Sequence, residues 1–168
     1  MGTSALADIV PLARVNADAV EKLLDRAFGA DRFGRTAYRL RAGTSAIPAL
    51  SFAALDERGA LAGTIQSWPV AVGAAPLVMV GPVAVEPAIQ RGGLGRALMT
   101  AMLNAWQAGD WPPLMMIGDP EYYGRFFGFG ADATSAWTVD GPVERHRLLA
   151  LAKPDQTLPV SGEISPRP

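Results

Sequence analysis

The sequence predicts an α/β fold in which helices cover both faces of a central sheet, and three observations carry that prediction. The run Leu77 to Val85 (LVMVGPVAV) is apolar at every position, as in a strand covered on each side. A glycine-bearing turn, Gln90-Arg91-Gly92-Gly93-Leu94-Gly95, follows it, and from there Leu94, Ala97, Leu98, Ala101, Met102 and Ala105 recur at helical spacing. Elsewhere, short apolar runs bounded by Gly, Pro and Asp alternate with helical stripes.

In chain order, Ala7 to Arg14 reads as a first strand, with Pro11 marking it as an edge. Asn16 is a helix N-cap, and Ala19, Val20, Leu23, Leu24 and Ala27 give a stripe that ends near Phe28-Gly29. Asp31 to Arg41 reads as an arginine-rich helix, with Arg32, Arg35, Arg39 and Arg41 on a solvated face. The alternative is a cationic rim for an acidic substrate. Leu50 to Leu55 and Leu61 to Val72 are strands joined by a hairpin turn at Asp56-Glu57-Arg58-Gly59. Gly73 to Pro76 turns the chain into the central strand, where Gly81-Pro82 predicts a bulge or a parting of neighbours, because Pro has no N–H for the ladder. The helix after the glycine turn stops near Gly109, ahead of Pro112 and Pro113. Leu114 to Gly118 is a short buried strand, and Asp119-Pro120-Glu121 opens another helix with its cap, first-position proline and first-turn acid. Trp137 to Val139 and Arg147 to Ala152 are the last strand candidates, and 153–168, with four prolines, reads as a loosely attached tail.

Composition removes several classes of function. A chain of 168 residues is most simply one domain, here 1–152 followed by the tail. The net charge of −1 argues against a nucleic-acid partner or a polybasic membrane role. With no cysteine there is no disulfide, thiolate metal site or Cys nucleophile, and a single histidine, His146, builds no His-rich metal site, so no metal is expected. Prolines and glycines break Pro69 to Val85 into two strands and a turn rather than a membrane span, and no secretory signal is evident, so the expected location is cytoplasmic. A monomer and a homodimer are both compatible with the sequence.

Strand, glycine turn and helix together form an anion-binding layout: turn amides and the first helical turn point at one place, and the helix dipole favours negative charge there. Glycine lets a phosphate approach the backbone, and Arg91 and Arg96 add positive charge. A P-loop is excluded because neither Lys22 nor Lys153 follows the required glycine pair, and a dinucleotide fingerprint fails at Leu98. The turn instead matches Q/R-x-x-G-x-G/A through Gln90, Gly93 and Gly95. In this motif the sequence resembles the GNAT superfamily of acyl-CoA-dependent N-acyltransferases. GDPEYYGRFFGF is the second point of resemblance, close to the Y-x-R-F-G-F found near the end of many members. The resemblance spans Leu77 to Phe129. It implies a mixed, mostly antiparallel sheet with strands four and five splayed, the thioester arm lying in the opening.

It also implies acetyl-CoA as acyl donor, with Val83, Ala84 and Val85 beside the thioester, Gln90, Arg91, Gly92, Gly93, Leu94, Gly95 and Arg96 on the pyrophosphate, and Tyr122, Tyr123 and Phe126 toward the sulfur. Tyr123 maps to the tyrosine that faces the sulfur when counted from Asp119-Pro120. Phe126-Phe127 is one residue longer than the usual pattern, so Tyr122 is the second choice. An alkylamine of pKa near 10 is nucleophilic in roughly one molecule in a thousand at neutral pH, a barrier of about 4 kcal/mol that a base removes. Glu86, at the exit of the central strand, is the candidate base, against the alternative of a carboxylate paired with Arg91. N–H groups of Val83 or Val85 suit the developing oxyanion, and a tyrosine hydroxyl suits the departing thiolate. Asp119 reads as a cap and His146 as a surface residue. The expected reaction is acetyl transfer to a primary amine of unspecified identity by direct attack. The rivals are a longer acyl-CoA donor and a silent acyl-CoA-binding module.

Overall fold

The computed structural model describes residues 8–89 and 93–168. The described chain opens with β1 (Asp8–Pro11), a 3-10 turn and helix α1 (Ala17–Phe28), followed by a single helical turn, α2 (Thr36–Arg39). Strands β2 (Phe52–Leu55), β3 (Leu61–Val72) and β4 (Ala75–Val85) lead into helix α3 (Leu94–Ala108) and strand β5 (Leu114–Ile117). Helix α4 (Pro120–Phe127) precedes β6 (Ala136–Val139), β7 (Leu148–Leu151) and β8 (Ser161–Pro166). The fold is mixed α/β with a mostly antiparallel sheet; β4–β5 and β6–β8 are parallel pairs. The described residues group into two compact units: one holds 8–32, 46–67, 82–89 and 93–109, the other 33–45, 68–81 and 110–168, so β3 and β4 contribute to both.

In the first unit the strand order is β1-β2-β3-β4, which leaves the proline-bearing β1 at an edge as expected. Asp56 builds the hairpin turn by accepting the N–H groups of Arg58 and Ala60 at 2.8 and 2.9 Å, while Gly59 takes φ 79°. Asn16 caps α1 by accepting the Ala19 N–H at 3.1 Å. Three and four residues apart, Val20, Leu23 and Leu24 then fall on one face of α1 and bury against Ala84 of β4. Helix α3 lies over β1 and β2 and buries Leu94, Leu98, Met99, Met102 and Trp106. Met99 and Trp106 take places expected of Ala97 and Ala105, because the larger apolar side chains turn the buried edge toward themselves. A β-carbon on Gly63 would lie 3.0 Å from the Ala84 carbonyl oxygen and 3.1 Å from Leu98 Cδ1, so glycine there lets α3 settle on β3.

Arg32 corrects the expectation of a fully solvated arginine face. Its side chain is 1% exposed and donates to Glu21 at 2.7 Å and Asp25 at 3.2 Å. Those carboxylates lie one turn apart on α1, and their pairing makes burial of a guanidinium tolerable.

In the second unit, β3 lies between β8 and β4, β5 lies between β4 and β7, and β6 pairs with β8. The expected arginine-rich helix is cut by Gly34 into a 3-10 turn and α2. Arg35 and Arg39 are exposed as expected, whereas the Arg41 guanidinium packs over the rings of Tyr38 and Trp68, at 4.3 and 4.0 Å. The expectation of a loose tail after residue 152 fails for the same unit. Within it β8 pairs Val70↔Pro166, Ala71↔Ser165 and Val72↔Ile164, with Ile164 buried. Two glycines make this possible: a β-carbon on Gly162 would lie 2.8 Å from the Gly73 nitrogen, whose N–H donates to the Glu163 carbonyl at 3.0 Å. Pro166 stands at the strand's end, where a missing donor is cheap.

Candidate active site

In the first unit, β4 delivers the chain to the start of α3. Gln90, Arg91 and Gly92 lie outside the described residues, so the described part of the motif begins at Gly93. Gly93 is left-handed, with φ 71°, and no side chain caps the helix that starts at Leu94. The first amides of a helix have no partner within it, so here they face outward with the positive end of the dipole. Gly95 brings this turn against β4, since a β-carbon there would stand 3.8 Å from Val85 Cγ2. Leu94 is buried and Arg96 is exposed on the first turn.

The three residues expected beside the thioester divide in two. The Glu86 N–H donates to the Ala62 carbonyl at 2.8 Å, which fixes the alternation at the end of β4. By that period of two, Ala84 turns its N–H toward β3, and Val83 and Val85 turn theirs away from it. Ala84 also sends its side chain into the core with α1. Glu86 itself is held by Arg26, whose Nε donates to Oε1 at 2.9 Å and to Oε2 at 3.3 Å, with a further contact from the guanidinium at 2.7 Å. Its cationic partner in the structure thus comes from α1. Sixty residues separate the two, which is why Arg26 carried no signal in the sequence.

In the second unit, β4 and β5 run side by side only at Val78↔Leu114 and Met79↔Met115 among the described residues. Strand β5 continues beside β7 as far as Ile117↔Leu148, so β4 and β5 part while β5 is still a strand. Close to the parting, Gly81 has φ 126° and open space where a β-carbon would go; glycine serves the backbone there, not packing. This is the irregularity that Gly81-Pro82 announces.

Helix α4 begins as its sequence reads. Asp119 caps it by accepting the Glu121 N–H at 3.0 Å, Pro120 occupies the first turn, and Gly128 ends it at φ 83°. Phe127 still belongs to the helix, so both aromatics before Gly128 lie within it. The Tyr123 ring lies directly on Gly118: a β-carbon at 118 would fall 2.8 and 2.9 Å from two of its ring carbons. Around it, Tyr122 meets it edge-on at 4.9 Å and Phe129 at 6.5 Å. Burial, with smaller contributions from Tyr122 and Asp119 against an opposing one from Arg147, pushes the Tyr123 phenol up to about 12. Its hydroxyl makes no hydrogen bond to another described residue. Tyr122 packs between Tyr123 and Phe126, and Phe126 is exposed. Gly118 escaped the sequence reading, although a glycine directly before the Asp-Pro helix start was the available signal.

Among the described residues no three His, Cys, Asp or Glu side chains gather as a metal site, and no helix is long and apolar enough to cross a membrane. His146 is exposed, 3.4 Å from Glu144.

The sequence profile of the Acetyltransferase (GNAT) family matches residues 17–109. A curated relative, the "uncharacterized N-acetyltransferase YhbS" of Escherichia coli K12, is 29% identical over 114 residues, 67% of each chain. The crystal structure of Escherichia coli YhbS in complex with CoA superposes with a TM-score of 0.81 at 23% identity, covering 99% of this chain and 93% of that one. A Brucella melitensis GNAT family acetyltransferase in complex with acetyl-CoA gives 0.65 at 24% identity, covering 98% and 97%. With more than half of its length matched, the chain belongs to the acetyltransferase (GNAT) family.

Proposed function

We propose that this family member transfers an acetyl group from acetyl-CoA to a primary amine by direct attack, without a covalent enzyme intermediate. The residues present fit such a donor: a left-handed glycine, a helix start without a side-chain cap and a glycine at the second helical position leave amides, not side chains, to meet a pyrophosphate. Gln90, Arg91, Gly92 and Arg96 complete that grip in this reading. The two solved relatives that hold CoA and acetyl-CoA support the same donor. When bound, acetyl-CoA supplies an activated acyl group on a thioester.

The chain's own groups then divide the work. N–H groups of Val83 or Val85, turned off the β3 side, hold the negative charge that develops on the acyl oxygen. Glu86 takes the proton from the attacking amine, directly or through water, and the Arg26 guanidinium fixes the orientation of that carboxylate. Tyr123 donates its hydroxyl hydrogen to the departing sulfur, with Tyr122 and Phe126 as packing for the thioester arm. With its phenol at about 12, Tyr123 stays protonated at neutral pH. Full proton transfer to a thiolate of pKa near 8.5 runs uphill by about 5 kcal/mol, so the tyrosine acts by hydrogen-bond donation during departure.

The observation that carries this reading is a half-buried tyrosine, seated on Gly118, whose phenol is held above its ordinary value by burial. Its test is CoA release over a panel of primary amines, with Tyr123→Phe alongside. The proposal expects amine-dependent CoA release that collapses in the variant while acetyl-CoA still binds. Binding of acetyl-CoA with no turnover on any amine, by either protein, would instead favour a silent acyl-CoA-binding module.

A further inference from the structure

Within the first unit, a cavity of about 340 Å³ opens beneath the start of α1, the 3-10 turn before it, and the chain that enters β2. Its size lies within the range of small-molecule sites, and none of the residues assigned to acyl transfer lines it. Leu12, Val15, Val20 and Pro48 give it an aliphatic wall, and Glu21 and Gln66 bring polar groups to it. Ser51, also at the wall, is already satisfied: its hydroxyl donates to the Ile47 carbonyl at 2.8 Å and accepts the Ser67 N–H at 3.2 Å.

Gln66 is different. It is 6% exposed, and its Oε1 has no hydrogen-bond partner. A buried carboxamide oxygen without a donor costs stability, so its retention calls for a reason. Gln66 is one of the residues that line the cavity, so its carboxamide is the polar group nearest to hand for the head of a ligand. Glu21 decides the sign of that head. It shares the Arg32 guanidinium with Asp25, two carboxylates to one cation. No basic side chain lines the cavity to balance an anion.

We propose that this cavity binds a small primary amine, its aliphatic body against Leu12, Val15 and Val20 and its ammonium donating to Gln66 and Glu21. The site stands on the cavity and its polar groups, and its test is binding, which is independent of acyl transfer. The experiment is titration of 15N-labelled protein with cyclohexylmethylamine, using cyclohexylmethanol and cyclohexanecarboxylate as neutral and anionic counterparts of the same shape. The amine should shift the amides of Val20 and Gln66 saturably and the carboxylate should not. Gln66→Leu should weaken the amine about tenfold or more, the loss of one hydrogen bond to a charged group. Ala46→Phe, which fills the cavity from a half-buried position and leaves Gln66 in place, should abolish it. Absence of saturable shifts, equal binding of the carboxylate, or unchanged amine affinity in the folded variants would overturn the proposal.

Discussion

Helix α4 closes its own N-terminus, with the Asp119 carboxylate on the Glu121 N–H at 3.0 Å, whereas α3 begins at a left-handed glycine, which has no side chain to cap it. Helix α1 behaves like α4, through Asn16. A cap stabilises a helix by about 1 kcal/mol, so leaving one out of a fifteen-residue helix has a cost that needs an offsetting use. The contrast separates two ways of serving a reaction. Helix α4 satisfies its own backbone and thereby holds a side chain, Tyr123, in place. Helix α3 starts at a glycine that brings no capping side chain, and in the proposed reading its backbone is what binds.

The largest expected effect comes from removing what α4 presents. Tyr123→Phe should lower kcat for acetyl transfer by about a hundredfold or more, within the range for losing one hydrogen-bond donor to a developing charge, with acetyl-CoA affinity nearly unchanged. Steady-state CoA release and calorimetry separate the two.

A smaller effect is expected from moving the tyrosine without removing it. Gly118→Ala puts a methyl group against the Tyr123 ring and should push it toward solvent, lowering kcat about tenfold, a cost of roughly 1.4 kcal/mol. Titration of phenolate absorbance checks the cause. In the wild type, one tyrosine should ionise near 12; in the variant that component should move back toward the ordinary value of 10. Because the folded pKa is raised, the stability this group contributes is present below about pH 10 and is lost as the pH rises toward 12. An unmoved titration with an unchanged rate would show that Gly118 does not position the ring.

The smallest effect belongs to the cap. Asp119→Ala should cost about 1 kcal/mol of stability by denaturant unfolding and leave acetyl-CoA affinity within about twofold, since those amides serve only the helix.

Much of this contrast was legible in the residues. Asn16, Asp119-Pro120 and the hairpin turn at Asp56 are local signals whose partners lie within a few positions, and each forms as read. The oddity at Gly81-Pro82 likewise pointed to the place where β4 and β5 part. What escaped depends on distance along the chain. Arg32 looked solvated because its partners Glu21 and Asp25 belong to another helix, and Arg26 meets Glu86 across sixty residues. Strand β8 hid among prolines, because its reason to be a strand lies in β3 and in a glycine contact that no local pattern shows. The role of Gly118 needed the Tyr123 ring to be placed first.

The central claim is that the uncapped start of α3 binds the donor's phosphates through its amides, and Gly93→Asp tests it most directly. That substitution puts a carboxylate where the negative ligand should lie, at a left-handed position that Asp tolerates better than most residues. Calorimetric titration with acetyl-CoA should show at least about a tenfold loss of affinity in folded Gly93→Asp and none in Asp119→Ala. Equal affinity for acetyl-CoA in Gly93→Asp and the wild type would contradict the account.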